Sequence, residues 1–272
     1  KKDKLSCISR PRRFGKTYAT AMLAAYYDRS CDSHSLFDDL AIAKDPGYRE
    51  HLNKYNVIHF DVATYFNSAK TPGDVIPDLD RALLQSIKEE FPYICESDPT
   101  NTAEAMYTAF SKGSGQFIVI IDEYDCIIRD APDNEELIRQ YLKYLRGFFK
   151  TEESKQFLAL GYITGILPIK KIKGESALNN FREYTMIAPG ALLPYFGFNE
   201  REIETLCRRY SQTMDNVRRW YDGYLMTEEG NWDVHEQVHI YNPNSVVEAF
   251  LRRRFGSYWK NAGAFEGVND YI

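Results

Sequence analysis

Short runs of consecutive apolar residues alternate along this chain with longer segments in which apolar residues recur every three or four positions. The runs predict strands buried on both faces, and the longer segments predict amphipathic helices. Strands that alternate with helices favour an α/β fold. The predicted strands are Leu5–Ile8, Val57–Asp61, Phe117–Ile121, Phe157–Gly165 and Tyr184–Ala188. The predicted helices are Lys16–Tyr27, Pro77–Phe91, Asn101–Lys112 and Glu135–Lys150. The apolar face expected on the first helix is formed by Tyr18, Met22, Leu23 and Tyr26.

The loop between the first predicted strand and the first predicted helix leads into Gly15, Lys16 and Thr17. Strand, loop, Gly-Lys-Thr and helix form the context that a phosphate-binding loop requires. Gly15 has no Cβ, so the backbone can approach a phosphate closely. Lys16, expected to be exposed on the loop, would reach the β- and γ-phosphates, and the hydroxyl of Thr17 would bind Mg²⁺. The N–H groups at the start of the helix would add a partial positive charge.

The loop departs from the usual phosphate-binding pattern at its first position, where Arg10 stands in place of glycine. A residue with a side chain resists positive φ, so we expect the entrance of the loop to differ from the usual one or to be strained. In the alternative interpretation, Gly-Lys-Thr caps an ordinary helix.

Two adjacent carboxylates end the most apolar predicted strand. Asp122 and Glu123 follow five consecutive large apolar residues, four of them β-branched, which is typical of a central strand. Ligands of open α/β sheets bind beyond the carboxyl ends of the strands, so Asp122 is expected to face the same crevice as the phosphate loop. Asp122 would hold Mg²⁺ and Glu123 would polarise the attacking water. In the alternative interpretation, these are solvated acids at a strand end, and Thr164, which ends the next strand, is either a phosphate contact or a turn residue.

Further short motifs follow in a specific order along nearly the whole chain. The complete set is Arg10–Thr17, Ile121–Asp125, Ile163–Gly165, Leu178–Asn180, Trp220–Tyr224 and Tyr241–Val246. This set resembles the predicted AAA-ATPase-like family, P-loop proteins akin to archaeal ATPases of the STAND type. The resemblance implies an α/β P-loop NTPase fold of the additional-strand catalytic-glutamate (ASCE), AAA-like class, with a parallel sheet flanked by helices and a C-terminal, mainly helical lid. Arg10 fits this family. Its members commonly carry a C-terminal nuclease-like domain, which we expect to be absent from these residues.

The motifs and the resemblance together assign roles to individual residues. The nucleotide would be bound by Arg12, Arg13, Phe14, Gly15, Lys16, Thr17 and Tyr18. Mg²⁺ would be held by Thr17 and Asp122, and the catalytic residues would be Glu123, Lys16, Thr164 and Arg182. Arg182 stands where related ATPases place an arginine for a neighbouring subunit. In an alternative interpretation, Arg12 and Arg13 pair with Asp125.

The composition changes after the fifth predicted strand, which predicts a P-loop core over residues 1–193 and a helical lid over residues 194–272. Within the lid, Asn199 is expected to cap a helix that runs to Tyr210. Alternation of apolar and polar residues over Val234–Tyr241 predicts a β-hairpin arm. Two further lid helices are predicted over Asp215–Tyr221 and Asn244–Phe255.

The lid also contains His235 and His239 in the H-E-x-x-H order of zinc proteases. A zinc site of that kind needs both histidines on one helical turn, whereas the surrounding alternation is that of a strand. Residues four apart on a strand lie roughly 13 Å apart, too far to share an ion bound at about 2 Å. We therefore expect no zinc there.

Composition narrows the class of protein. Hydrophobic residues make 44% of the 272 residues and charged residues 27%, as in an ordinary soluble globular protein. The net charge of −5 argues against a broad nucleic-acid surface but allows local basic patches. The apolar runs are too short to span a membrane, and the start of the sequence, at Lys1, shows no signal-peptide pattern. Five scattered cysteines favour reduced thiols and a cytoplasmic protein.

The predicted function is ATP binding and Mg²⁺-dependent hydrolysis, with the nucleotide state coupled to a second copy of the chain or to an effector domain. One alternative is a nucleotide-gated regulatory module with little turnover, which Arg10 favours and the Asp122-Glu123 pair disfavours. Another is a nucleic-acid-associated ATPase. ATP is not separated from GTP, because no base-reading N-K-x-D motif follows the acidic strand. The arginine clusters that support the nucleic-acid alternative are Arg208–Arg209, Arg218–Arg219 and Arg252–Arg254.

Overall fold

The computed structural model describes residues 4–169, 178–227 and 237–258. Contacts between residues divide the chain into two compact units. Over the described residues, the first unit comprises residues 4–7, 17–169 and 178–182, and the second comprises residues 8–16, 183–227 and 237–258. The loop predicted to bind phosphate therefore belongs to the second unit, although it lies early in the sequence.

A five-stranded parallel sheet, flanked by helices, gives the chain the expected α/β architecture of P-loop NTPases. The strands of the described residues are β1 Leu5–Ser9, β2 Asn56–Asp61, β3 Phe117–Asp122, β4 Leu158–Gly165, β5 Arg182–Tyr184, β6 Phe198–Asn199, β7 Asp222–Thr227 and β8 Gln237–Tyr241. The order in the parallel sheet is β2-β3-β4-β1-β5. The register of β2 and β3 places Asp61 beside Asp122 at the carboxyl ends of the two strands.

The long helices lie where the sequence predicts them. The helices are α1 Lys16–Tyr27, α2 His34–Phe37, α3 Tyr48–His51, α4 Val62–Ser68, α5 Val75–Glu90, α6 Thr102–Ser111, α7 Cys126–Asp130, α8 Glu135–Phe149, α9 Glu152–Phe157, α10 Glu200–Tyr210, α11 Met214–Tyr221 and α12 Pro243–Arg252. Short 3₁₀ turns lie at Ala41–Lys44, Pro72–Asp74, Pro92–Ser97 and Gly190–Tyr195. In the part of the chain that the structure describes, no helix is long and apolar enough to cross a membrane.

The core of the first unit is built around β3, in which every residue is buried. Its β-branched side chains favour extended backbone and pack on both faces of the sheet. Helices α5 and α8 bury side chains spaced by three or four residues, as their sequence pattern predicts. The buried stripes are Leu79, Leu83 and Ile87 on α5 and Leu137, Tyr141, Leu145 and Phe148 on α8. This packing holds the acidic carboxyl end of β3 in a rigid frame.

The second unit has a separate antiparallel sheet, in the order β6-β8-β7. Asn199 caps α10, as predicted: its Oδ1 accepts from the N–H of Glu202, and the Glu202 carboxylate accepts from the N–H of Asn199. Within the β-hairpin arm predicted over Val234–Tyr241, Gln237–Tyr241 forms β8, which pairs antiparallel with β7, whereas residues 234–236 lie outside the described residues. His239 lies on β8, whereas His235 lies outside the described residues.

Helix α1 spans the predicted residues but buries a different face. Tyr18 and Met22, which were expected to be buried, are 80% and 52% exposed, so this part of the prediction was wrong. Thr20 is fully buried and Tyr26 is 6% exposed. Because alanine and apolar residues lie on all sides of α1, their spacing does not select the face that packs.

Two predicted boundaries were also wrong. β5 covers Arg182–Tyr184 and ends where the predicted strand begins. The N–H of Thr185 donates to the carbonyl of Ala188, and the N–H of Ala188 donates to Thr185 Oγ1, so the chain turns there instead of extending. Helix α12 stops at Arg252 because Arg253 has a φ of 51°, a left-handed conformation that ends a helix.

Candidate functional site

The loop after β1 has positive φ at two residues, 67° at Arg13 and 84° at Gly15. A Cβ added at Gly15 would meet no atom within 4 Å, so glycine is required there by the backbone conformation and not by space. Arg10 is not among the residues with positive φ. The entrance of the loop therefore differs from the usual glycine-containing pattern without strain at Arg10.

The Arg10 side chain is buried within the second unit and anchors the loop. Its Nη1 donates to the carbonyl of Tyr184 at 2.8 Å and to that of Ser9 at 3.1 Å. The guanidinium lies over the ring of Phe196, 5.5 Å from the ring centroid. Such contacts require a long cationic side chain, so arginine takes a structural role at this position that glycine cannot take.

Lys16 is buried, which corrects the expectation that it lies exposed on the loop. It is the first residue of α1, and the residue is only 4% exposed. Its Nζ donates to the carbonyls of Arg10 and Pro11, each at 3.1 Å. The ammonium group thus sits inside the turn of the loop, where its charge stabilises backbone carbonyls.

Phe14 fixes the loop to the second unit by apolar packing. Its side chain is 2% exposed and packs with Leu193, Met226 and Ile240. The ring also meets that of Tyr224 edge-on, with centroids 5.2 Å apart. Phe14 could therefore contact a nucleotide only through its backbone atoms.

Arg13 adds a polar contact to the same attachment. Its Nη1 donates to Oδ1 of Asn244, at the start of α12, over 3.2 Å. Two of the late sequence motifs thereby acquire a structural meaning, because Tyr224 belongs to the first and Asn244 to the second. Both motifs contact the predicted phosphate loop.

In the first unit, α1 presents polar and aromatic side chains just after the loop. Thr17 is exposed, and the Tyr18 ring is 80% exposed. The carbonyl of Thr17 accepts from Thr20 Oγ1 at 2.8 Å, a bond that does not use the Thr17 hydroxyl. Thr17 and Tyr18 are thus both accessible to a ligand, as a phosphate-loop assignment requires.

Asp122, at the end of β3, is 2% exposed. Its Oδ1 accepts hydrogen bonds from the Thr164 hydroxyl and, at 3.0 Å, from the N–H of Glu123. Among the described residues no hydrogen bond reaches Oδ2. The structure therefore brings three predicted site residues together in the first unit, and it gives the fully buried Thr164 the role of holding Asp122.

The Glu123 carboxylate is paired with Arg129, on α7. Arg129 Nη1 lies 3.1 Å from Glu123 Oε2 and 3.4 Å from Asp125 Oδ1, and the Arg129 side chain is 8% exposed. Asp125 also accepts from the N–H groups of Ile166 and Leu167, at 3.0 and 2.7 Å. The alternative pairing of Asp125 with an arginine of the loop was therefore wrong, because Arg129 takes that place.

Burial and neighbouring charges have opposite effects on the pKa values of Asp125 and Arg129. Burial raises the pKa of the Asp125 carboxyl, and the positive charge of Arg129 partly opposes this effect. Burial acts to lower the pKa of Arg129, but its hydrogen bond to Asp130 and the charges of the surrounding carboxylates raise it overall. Arg129 is therefore a permanent cation at the acidic end of β3.

Backbone and side-chain contacts join the segment after β3 to the end of β4. The N–H of Tyr124 donates to the carbonyl of Thr164 at 2.9 Å, and the Tyr124 hydroxyl donates to the carbonyl of Leu167 at 2.6 Å. A Cβ at Gly165 would collide with the side chains of Tyr124 and Asp125. The two strand ends consequently form one closely packed structure in which Glu123 and Thr164 have set positions.

The remaining predicted residues have the following surroundings. Arg182 is exposed at the start of β5. His239, on β8, has its Nδ1 2.7 Å from Oδ1 of Asp222, at the start of the adjacent strand β7. Arg12 is half-buried in the loop.

Sequence patterns did not reveal Arg129, Tyr224 or Asn244 as contacts of the site. A local signal exists for Arg129, because it lies four residues after Asp125 and this spacing brings side chains together on a helix. No local signal exists for Asn244, which is 231 residues from Arg13 in sequence.

Comparison with known proteins adds a family. A family model described as "Predicted AAA-ATPase" (AAA-ATPase-like) matches residues 1–173 of the chain. A curated protein from Azotobacter chroococcum mcd 1, described as an "Uncharacterized protein in vnfD 5'region", is 25% identical to the chain over 262 residues. The match covers 94% of this chain and 47% of the relative, so the chain spans about half the length of that relative. The family match includes the phosphate loop and the acidic end of β3.

Proposed function

The chain belongs to the predicted AAA-ATPase family, and on that premise we propose that it binds ATP with Mg²⁺ and hydrolyses the nucleotide. Lys16 would neutralise charge on the β- and γ-phosphates, and the N–H groups of the loop would donate to phosphate oxygens. Thr17 and Asp122 would hold Mg²⁺. Glu123 would orient the water that attacks the γ-phosphorus, and ADP and phosphate would leave.

The observation that carries this proposal is the position of both motifs at strand ends of one parallel sheet. The phosphate-loop motif follows β1 and the acidic pair follows β3, the two strands that flank β4. Ligands of parallel α/β sheets bind beyond the carboxyl ends of the strands. A helix cap or a pair of solvated acids would not require this placement.

The acidic strand end suits Mg²⁺ bound jointly with a nucleotide. In the described ranges, no group of three or more His, Cys, Asp or Glu side chains is arranged to hold a metal ion alone. Mg²⁺ usually keeps several waters and binds one or two carboxylates plus substrate phosphates. Asp122 Oδ2 and the exposed Thr17 hydroxyl are oxygen ligands of the required kind. When bound, Mg²⁺ would supply positive charge next to the phosphates.

We also propose that the nucleotide state is passed on through the second unit. The phosphate loop is attached there by Phe14, Arg13 and Arg10. A change in loop conformation on phosphate binding would therefore act on the sheet β6-β8-β7 and on the start of α12. The recipient would be an effector domain, such as the nuclease-like domain of family members, or a second copy of the chain contacted by Arg182.

The competing function is a nucleotide-gated regulatory module with little turnover. Its support is the attachment of the loop just described, together with the pairing of Glu123 with Arg129. Both functions require nucleotide binding, and they differ in steady-state hydrolysis. A cytoplasmic location accords with either one, since all five cysteines lie in the described residues as free thiols.

The test of nucleotide binding is calorimetry with a non-hydrolysable ATP analogue and Mg²⁺ on the Lys16→Met variant. Methionine keeps the length of the side chain and removes its charge, so we expect analogue binding to be lost or weakened at least ~100-fold, about 2.7 kcal/mol. Lys143→Met, at an exposed lysine of α8, is the matched control and should bind as the wild type does. Unchanged affinity in Lys16→Met would refute the phosphate-loop assignment. Phosphate release by the wild type, measured in parallel, separates the ATPase from the regulatory module.

A further inference from the structure

Arg129 is buried among carboxylates just after the acidic end of β3. Its Nη1 lies 3.1 Å from Glu123 Oε2 and 3.4 Å from Asp125 Oδ1. On its other side, Nε and Nη2 lie 2.9 and 3.1 Å from the two oxygens of Asp130. A planar guanidinium with fixed donor directions is the group that can serve several carboxylates at once. Its orientation is consequently set by three partners.

The partner Asp125 ties this guanidinium to the frame of the fold. Asp125 is fully buried and accepts from the backbone N–H groups of Ile166 and Leu167, just beyond β4. Those N–H groups belong to a turn that packs on Tyr124. Backbone N–H groups thus hold Asp125, and Asp125 in turn holds Arg129, so the guanidinium has a fixed position beside its other partners.

Glu123 depends on that support more than an ordinary strand-end residue does. Its φ is 49°, a left-handed value that residues with a side chain rarely adopt, and its N–H donates to Asp122 Oδ1. Only Oε2 of the carboxylate takes a hydrogen bond among the described residues. Oε1 is thus the carboxylate oxygen that takes no hydrogen bond among the described residues, and the ion pair of Oε2 with Arg129 sets its direction.

We propose that Arg129 is a positioning residue for ATP hydrolysis, which holds Oε2 of Glu123 so that Oε1 accepts the hydrogen bond of the attacking water. This inference rests on the proposed ATPase function. It assigns Arg129 no contact with the nucleotide, so its contribution reaches the reaction only through Glu123. Loss of Arg129 should consequently lower turnover and leave nucleotide affinity unchanged.

The opposite role would give the opposite result. If Arg129 held Glu123 away from the water, its removal would release an active carboxylate and raise turnover. Two features favour positioning. The guanidinium is 8% exposed and bound on three sides, so it has little room to move away when a nucleotide arrives. Arg129 also interacts with two other carboxylates, which limits how strongly its positive charge neutralises the carboxylate of Glu123.

The experiment is a double-mutant cycle of Arg129→Gln and Glu123→Gln in the full chain, with steady-state ATPase activity and calorimetry of a Mg²⁺–ATP analogue. We expect Arg129→Gln alone to lower kcat roughly 10- to 100-fold, the effect of misplacing a catalytic group. Analogue affinity should stay within about twofold, since binding rests on other residues. In the Glu123→Gln background, Arg129→Gln should cause no further loss, because the group that it positions is already inactive.

Two further variants keep the test decisive. Arg129→Gln leaves Asp125 buried without its cation, so the double variant Asp125→Asn, Arg129→Gln removes both charges and should reproduce the kcat loss in a stable protein. Arg139→Gln, at an exposed arginine paired with Glu136 on α8, is the matched control and should leave kcat unchanged.

The unfavourable outcomes distinguish failure of the positioning role from failure of the proposed function. Equal loss of kcat from Arg129→Gln in both backgrounds would mean a general structural role, and a rise of kcat would mean that Arg129 restrains Glu123. Either result would overturn the positioning role while the ATPase function stands. A wild-type protein that binds the analogue but does not hydrolyse ATP would overturn the proposed function and this inference with it.

Discussion

Replacing Phe14 by alanine tests whether the phosphate loop depends on its packing against the rest of the second unit. The Phe14 ring is 2% exposed, packs with Leu193, Met226 and Ile240, and meets the Tyr224 ring at 5.2 Å. Removal of a buried phenylalanine side chain costs about 3–5 kcal/mol, and this figure includes the ~0.5–1.5 kcal/mol of an aromatic pair. Since a domain is stable by only ~5–15 kcal/mol, the variant should fold at 25 °C but with much of its stability gone.

The assay is urea unfolding followed by tryptophan fluorescence. Tryptophan fluorescence reports on the second unit, because Trp220 lies on its helix α11. We expect Phe14→Ala to lower the free energy of unfolding of the second unit by about 3–5 kcal/mol and Phe14→Leu by about 1 kcal/mol, because leucine fills most of the volume. Analogue affinity should fall at least ~10-fold in Phe14→Ala, about 1.4 kcal/mol, since the loop loses its attachment.

Tyr18 supplies the control, because it lies four residues further along and its ring is 80% exposed. Tyr18→Ala should change the free energy of unfolding by no more than about 0.5 kcal/mol, as expected of an exposed position without special contacts. A Phe14→Ala protein of wild-type stability that no longer binds the analogue would refute the reasoning. In that case Phe14 would act on the nucleotide directly and not through the attachment of the loop.

Three further predictions concern the acidic strand end. Glu123→Gln should lower kcat roughly 100-fold or more, about 3 kcal/mol of barrier, and leave analogue affinity equal or higher. Asp122→Asn should instead weaken the Mg²⁺-dependent binding of the analogue. Steady-state kinetics and calorimetry test this division of roles, and an equal loss of binding in both variants would show it to be wrong. Thr164→Val should lower the free energy of unfolding in urea by about 1–3 kcal/mol, because Asp122 loses a buried hydrogen-bond donor. Thr164→Ser keeps the hydroxyl and should retain most of this stability. Equal stability of the two variants would contradict the hydrogen bond. Burial raises the pKa of Asp61, and the charges of Asp122 and Glu123 add to this effect. The stability that protonated Asp61 contributes is therefore present below the ordinary value of 3.8 and is lost as the pH rises through the raised pKa. Asp61→Asn should therefore raise Tm above that of the wild type at about pH 7 and give no gain near pH 3. Thermal unfolding in the presence of a chelator measures this difference. A gain in Tm that persisted near pH 3 would exclude a charge effect.

The sequence by itself determined the parts of this protein that depend on short-range order. The apolar run of β3 can pack only between two layers, and the spacing of apolar residues on α5 and α8 selects one helical face, so these elements were predicted closely. The chemistry of Gly-Lys-Thr and of Asp122-Glu123 is also local, because residue type and order define it. The family, the α/β class and the candidate residues follow from these features.

Only the tertiary structure decided what each candidate side chain contacts. Lys16 was expected on the surface and is buried, because its partners are carbonyls that the turn of the loop brings around it. The exposed face of α1 was mispredicted, since a helix that is apolar all round packs wherever its neighbours leave room.

Long-range contacts are the part of the structure that a sequence pattern predicts least well. Arg13 meets Asn244 across 231 residues, and Thr164 meets Asp122 across 42, so no periodicity of period two or 3.6 records either pair. Arg129 is an intermediate case. Its spacing from Asp125 is a helical one, but its contact with Glu123 involves a residue with a left-handed φ of 49°, a conformation that no hydrophobic periodicity records.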